Sequence, residues 1–267
     1  MRLIESRDNP LFKTLRKIAQ SQGRSGQPVL LEGVHVCETW LARVGAPTYA
    51  LFDAVRVTEP ALKTLLDALD PARVRLMPAK LLAQLGDAVS DQGLRFVVDP
   101  PSPTVPASLS HTAVLLDRVQ DPGNVGTILR SAAATGVKQV FLSTGSASAW
   151  SSKVLRSGQG AHFALELFEG VSLGALMANA TVPVVATTLE NAQDLYATAL
   201  PQQVAWLFGN EGQGVDPSLA AQAAQRIRID HDRHAVESLN VAMAATLCLF
   251  EHWRQHKPLT DATVLTG

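Results

Sequence analysis

Two cysteines, Cys37 and Cys248, are all the thiol chemistry that 267 residues offer. They stand far apart, too few for a disulfide framework or a four-cysteine zinc site, and read as small buried apolar residues. Also missing is any apolar run long enough to cross a bilayer. The N-terminus, MRLIESRDNPLFKTLRKIAQ, is charged throughout and lacks the apolar centre of a secretory signal, so the expected location is the cytoplasm, with no membrane partner. Charged residues make up only 18% and nearly balance, 23 basic against 24 acidic, so bulk charge announces no nucleic-acid partner. No GxGxxG follows the first strand of either half, which counts against a dinucleotide-dependent oxidoreductase, and no Gly-Lys-Ser/Thr marks a P-loop. HExxH and paired cysteines are absent as well. His231, His234, His252 and His256 are therefore read as solvated, and no metal is expected.

What is present is a globular chain, 46% apolar and without low-complexity tracts, long enough for two domains. In DPPSPTVPAS, four prolines from Pro100 to Pro106 preclude a helix or a central strand, so 100–110 reads as a stiff linker between 1–99 and 111–267. Before it, VLLEG, TYALFD, VRLMP and LRFVVD read as short strands among the helical patterns GVHVCETWLARVG and EPALKTLLDALD, a small α/β domain. After it, strands written as unbroken apolar runs (TAVLLDRV, KQVFLST, FALELF, VPVVATT, VAWLFG, RIRI) alternate with helices, the last opening at Glu237. That alternation implies a parallel sheet covered on both faces, with ligands at the carboxyl ends of its strands.

Three loops at such ends carry polar groups. In LLDRVQDPGNVGTILRSAAATG, a turn at Asp121, Pro122 and Gly123 leads to Asn124, which stands where an N-cap belongs, and Arg130 follows six residues later. In WLFGNEGQGV, a strand ends at Gly209 and Asn210, Glu211, Gly212 and Gly214 form a flexible polar loop before a helix announced by Pro217. In ESLNVAMAATLCLFE, capping by Glu237 or Ser238 accounts for one polar residue and leaves Asn240 unexplained at an apolar entrance.

Taken together and in this order, DPGNVGTILRSAAATG, LFGNEGQGV and ESLNVAMA resemble the three signature motifs of the SpoU/TrmH family, the SPOUT-class RNA ribose 2'-O-methyltransferases, over about Thr112 to His256. SRDNPLFKTLRKIAQSQGRSGQPVLLEGVHV resembles the small L30e-like substrate-binding domain of rRNA-directed members. The resemblance implies an α/β fold, a C-terminal SPOUT α/β-knot with a deep trefoil knot and parallel sheet behind an N-terminal L30e-like α/β domain. It further implies S-adenosyl-L-methionine as cofactor and a homodimer through the C-terminal domain. Carried over, the cofactor-binding residues are Leu207, Phe208, Gly209, Asn210, Glu211, Gly212, Ile229, Ser238, Leu239 and Asn240. The catalytic set is Asn124, Arg130, Glu211, Ser238 and Asn240. A guanidinium is very hard to deprotonate, so Arg130 is read as holding phosphate and stabilising a developing alkoxide, not as a base.

RNA contacts are expected from Lys153 and Arg156, which match family basic positions, and from Arg7, Lys13, Arg16, Lys17 and Arg24 in an arm with six basic residues to two acidic. Trp150 is placed as a base-stacking platform. The L30e-like segment favours rRNA over tRNA as substrate; a tRNA methyltransferase and a non-catalytic dimeric RNA-binding protein of the same fold are the alternatives. Two departures stand out. Asp230 and His231 replace the family's Ile-Pro-Met-like turn, and Ala149 and Trp150 replace a commoner Asp-Pro pair.

Overall fold

A computed structural model describes residues 1–21, 23, 26–86 and 92–257. The first sheet gathers β1 (Arg2–Leu3), β2 (Val29–Glu32), β3 (Tyr49–Asp53), β4 (Val74–Met77) and β5 (Leu94–Val98) in the order β1-β4-β3-β5-β2. Its β1, β4 and β3 run parallel, while β5 lies antiparallel to both β3 and β2. Between these strands run α1 (Pro10–Gln20), α2 (Val34–Arg43), α3 (Pro60–Asp67) and α4 (Ala79–Leu82). Helix α1 starts where Asn9 accepts from the Leu11 amide and Pro10 fills a position that needs no donor. It buries Phe12 and Leu15 against Leu51, Met77 and Leu82, which turns Lys13, Arg16 and Lys17 to solvent.

From 99 to 112 the chain has neither helix nor strand, as the prolines require. Then follow β6 (Ala113–Leu116), α5 (Pro122–Ala134), β7 (Gln139–Ser143), α6 (Ser152–Gly158), β8 (Glu166–Val171), α7 (Leu173–Ala178), β9 (Val184–Thr187), β10 (Gln193–Asp194), β11 (Ala205–Phe208), α8 (Pro217–Gln222), β12 (Gln225–Arg228) and α9 (Val241–His256). The strands make one parallel sheet in the order β10-β12-β9-β11-β6-β7-β8. Central β6 and β11 are buried at every residue, hence their unbroken apolar runs. Because all strands point one way, the loops after β6, β11 and β12 open on one edge.

The two sheets share a continuous core, with Trp40 of α2 edge-on to Phe163, ring centroids 5.4 Å apart. Phe163 lies in a 3-10 turn, Ala161–Ala164, so β8 begins at Glu166 and not at Phe163 as the apolar run FALELF suggests. Trp150 is buried in the same joint, 5.2 Å from the His162 ring, and is no stacking platform for a base. Gly23 faces it so closely that a Cβ there would fall 2.2 Å from the Trp150 carbonyl oxygen. No helix among the described residues is long and apolar enough to cross a membrane.

Candidate active site

The carboxyl end of β6 turns through Asp117 into α5. The structure corrects the expected cap: Asp121, not Asn124, is the N-cap, its side chain accepting from the Asn124 amide, with Pro122 at the first helical position. Asn124 is thereby freed from capping, and its side chain points at the other loops. The last helix is corrected in the same sense. It begins at Val241, not Glu237, because Asn240 Oδ1 accepts from both the Ala242 and Met243 amides, at 2.9 and 3.3 Å. One side chain outcompetes Glu237 and Ser238 by meeting two of the four orphan amides.

These two asparagines and Glu211 form a single hydrogen-bonded chain. Asn240 Nδ2 donates to Asn124 Oδ1 at 2.9 Å, and Asn124 Nδ2 donates to Glu211 Oε1 at 3.0 Å. Each amide orientation is fixed by its partners: Asn240 must turn its oxygen to the helix amides, which leaves its NH2 for Asn124, whose own NH2 must then face the carboxylate. Glu211 also accepts from the backbone amides of Asp121 (3.0 Å) and Gln120 (3.1 Å). Partial burial alone would raise its carboxyl, but the donors from Asn124, Asp121 and Gln120 outweigh it and hold Glu211 below the ordinary carboxylate range. An ionised acceptor therefore ties together loops that lie more than eighty residues apart in sequence.

The loop after β11 is braced from within by Asn210 and from outside by Asp117 and Arg118, which are not among the expected site residues. Asn210 Nδ2 donates to the Arg118 carbonyl, while Asn210 Oδ1 accepts from the Gly212 and Gln213 amides. Asp117, buried at the end of β6, accepts from Arg118 through both carboxylate oxygens and from the Asp216 amide at 2.8 Å. Arg118, held at a left-handed φ of 53°, also donates to Gln213. Gly209 passes so near the loop's return that a Cβ would lie 2.1 Å from the Gly214 carbonyl carbon. A charged residue closing an apolar strand is the signal that could have marked Asp117.

The remaining candidates fall outside this chain of bonds. Arg130 is exposed in α5, six residues beyond Asn124, and its guanidinium hydrogen-bonds to no described residue; Ser238 is also exposed. Leu207 and Phe208 are sunk in the core on β11, so only their backbone can face a ligand, while Ile229 and Leu239 are half-buried. Arg7, Lys13, Arg16 and Lys17 are exposed around α1, and Lys153 and Arg156 on α6; Arg24 lies outside the described residues. The histidines are not uniformly solvated: His252 is buried and donates from Nε2 to the Pro201 carbonyl at 3.0 Å. A hollow of about 610 Å³ bordered by His252 and Trp253 lies at the opposite edge of the sheet, by the starts of β6 and β7. Strand direction, not hollow size, decides where chemistry belongs in a parallel sheet, so the loops after β6, β11 and β12 are the candidate site.

The sequence profile of the SpoU rRNA Methylase family matches residues 111–250, which carry all three loops. The chain belongs to this family. It is 33% identical to an uncharacterised tRNA/rRNA methyltransferase of Synechocystis, covering 94% of this chain and 93% of that one. It is 29% identical to the 23S rRNA (guanosine(2553)-2'-O)-methyltransferase RlmP of Bacillus subtilis, covering 94% and 98%. Among solved structures, the SpoU methyltransferase AviRb of Streptomyces viridochromogenes, in complex with AdoMet, superposes with a TM-score of 0.80 at 26% identity, over 92% of this chain and 98% of that chain. An rRNA methyltransferase of Sinorhizobium meliloti superposes with a TM-score of 0.78, also at 26% identity, over 94% and 97%. The fold is thus the SPOUT α/β fold of the SpoU methyltransferases, and S-adenosylmethionine (AdoMet) is the methyl donor that the family uses.

Proposed function

We propose that this SpoU methyltransferase transfers a methyl group from S-adenosylmethionine to a ribose 2'-hydroxyl of structured RNA, ribosomal RNA in preference to tRNA. The observation that carries the reading is the Glu211–Asn124–Asn240 chain, which clamps three loops at the carboxyl edge of the sheet. The residues there suit this cofactor: glycines let backbone approach at Gly209, and one ionised carboxylate stands ready near a cationic ligand. When bound, the cofactor supplies an electrophilic methyl group on a sulfonium. The backbone of Leu207, Phe208, Gly209, Asn210, Glu211 and Gly212, with Ile229, Ser238, Leu239 and Asn240, is assigned to hold it.

The rate then comes largely from positioning. Asn124 and Asn240, with their amides locked, set the shape of the pocket mouth where ribose enters. Arg130 has no partner among the described residues of its own chain, which leaves its guanidinium for an RNA phosphate and for the alkoxide that develops as the 2'-proton leaves. Residues 1–99 are assigned to RNA capture through Arg7, Lys13, Arg16 and Lys17, the 100–110 linker joins them to the methyltransferase half, and Lys153 and Arg156 extend the phosphate track.

We assign dimerisation to α9. Met243, Leu247, Phe250 and Trp253 are exposed at helical spacing, an apolar stripe that a second copy of the chain would cover. A dimer built there brings the partner near α5, packed on α9 through the Ser131 to Thr246 hydrogen bond, so Arg130 can serve the neighbouring site. We assign the enzyme to the cytoplasm. The test is transfer of tritium from labelled S-adenosylmethionine to unmodified ribosomal RNA and tRNA transcripts, with Arg130→Ala in parallel. Label in ribosomal RNA that the variant abolishes supports the reading, and label in tRNA alone would reassign the substrate.

A further inference from the structure

The bend that follows β6 is built on an unfavourable residue. Arg118 stands at a φ of 53°, the left-handed region where a Cβ crowds the following carbonyl and glycine or asparagine is at ease. An arginine persists there only when its surroundings hold it, and such outliers gather where ligands are clamped. Here backbone and side chain are both engaged. The Arg118 amide donates to Ser143 Oγ at the end of β7, at 2.8 Å, and its carbonyl accepts from Asn210 Nδ2, also at 2.8 Å. Nε and Nη2 donate to the two oxygens of Asp117 at 3.0 and 3.1 Å, and Nη1 donates to Gln213 Oε1 at 3.2 Å.

Most of these bonds converge on one loop. Between β11 and α8 the chain turns back on itself at Asn210 and Gly214, whose backbones exchange hydrogen bonds of 3.0 and 2.8 Å, leaving 211–213 as a tip. Glu211 reaches from that tip to Asn124, Asp121 and Gln120. The root of the loop hangs on the Arg118 carbonyl through Asn210, and the far side of the tip on the Arg118 guanidinium through Gln213. Asp117 is buried and its charge needs the guanidinium, whereas Gln213 is exposed and has no such need. The bond to Gln213 therefore adds little to the stability of the fold; what it fixes is the place of the tip. We infer that Arg118 is a positioning residue for the cofactor loop. Its one guanidinium, shared between buried Asp117 and exposed Gln213, holds 211–213 in the shape that binds S-adenosylmethionine. The inference rests on the reading of this loop as the cofactor's, and Arg118 acts through Gln213 and Asn210 without touching the reacting atoms. Lysine would not serve, because a single ammonium lacks the planar fork that addresses both partners at once.

Calorimetric titration of the full chain with S-adenosylhomocysteine, without RNA, separates a positioning role from a structural one. Gln213→Ala cuts the outer bond and leaves the Asp117–Arg118 pair whole. It should weaken binding about three- to tenfold, while its melting temperature without ligand stays within about two degrees of the parent. Arg118→Lys keeps a cation for Asp117 and should weaken binding to a similar degree. The double variant should bind no more weakly than Arg118→Lys alone, since both changes cut the same bond. Gln213→Glu, which keeps an accepting oxygen, should bind as the parent does. In steady-state methyl transfer by Gln213→Ala, the KM for S-adenosylmethionine should rise by the same factor as the dissociation constant, with kcat within about twofold. Unchanged affinity in Gln213→Ala and Arg118→Lys, whatever their melting temperatures, would overturn the inference. Additive losses in the double variant, or a fall in kcat with KM unmoved, would do the same. Failure of the parent itself to bind S-adenosylhomocysteine would instead overturn the reading of the loop as the cofactor's, and the inference with it.

Discussion

Asn240 does two jobs with one amide: its oxygen caps α9 and its NH2 holds Asn124. The jobs can be separated. Asn240→Ser keeps a capping oxygen and should leave the melting temperature within a few degrees of the parent, but it cannot reach Asn124. Its methyl transfer should fall about a hundredfold in kcat/KM, the scale of a misplaced positioning group. Asn240→Ala should lose that activity and also about 1 kcal/mol of stability with the cap. A Ser variant with parental activity would show that the link to Asn124 does nothing for catalysis. Glu211 carries a pH signature. Its carboxyl sits below its ordinary value of 4.5, so its stabilising effect is present above that value and is lost as pH falls through the lower folded-state value. Urea titrations from pH 6 downward should show the parent losing stability below about pH 4.5 more steeply than Glu211→Gln. Parallel slopes would contradict the assignment.

At the scale of elements, two packing points govern the site. Helices α5 and α6 cross at Gly126, where a Cβ would fall 1.9 Å from Ser157 Oγ and 2.7 Å from the Val154 carbonyl oxygen. Gly126→Val should therefore cost about 1–3 kcal/mol and tilt Asn124 away from Glu211, read as a lowered midpoint in denaturant and reduced activity together. The joint between the sheets is the second point. His162 is buried there, donating to the Ala149 carbonyl at 2.7 Å, and burial pushes its imidazole down to about 4 from 6.5. In that window the unfolded chain takes the proton first, so stability falls with pH from about 6.5 toward 4, by on the order of 3 kcal/mol. His162→Gln should flatten this slope in a pH series of denaturant midpoints, and an unchanged slope would place the titration elsewhere.

Across the whole molecule, what is legible in the sequence divides along physical lines. The parallel sheet is legible because strands buried on both faces must be apolar throughout, and AVLL and AWLF are. The lack of helix and strand from 99 to 112 is legible because proline forbids both regular structures. The caps are not, because Asp121 and Asn124, or Ser238 and Asn240, are all competent capping residues, and only tertiary neighbours decide which one points inward. The burial of Trp150 and His252 is equally hidden, since an aromatic ring or an imidazole in a loop or on a helix declares no side. The three motifs reveal Asn124, Glu211 and Asn240 but not that these bond to one another, nor the brace from Asp117 and Arg118. At this scale the apolar stripe on α9 also makes a prediction. Leu247→Glu with Phe250→Glu should convert a dimer to a monomer in sedimentation, and an unchanged sedimentation coefficient would remove α9 from the interface.

The central claim is the position of the methyl group, and alkaline hydrolysis of the labelled RNA reads it directly. Cleavage by alkali needs a free 2'-hydroxyl, so a ribose 2'-O-methyl group protects its own linkage. If the enzyme works as proposed, tritium incorporated into ribosomal RNA will be recovered after alkali in a resistant dinucleotide. Recovery of the label in mononucleotides would mean methylation of a base, and would contradict the assignment of Arg130, Asn124 and Asn240 to a ribose hydroxyl.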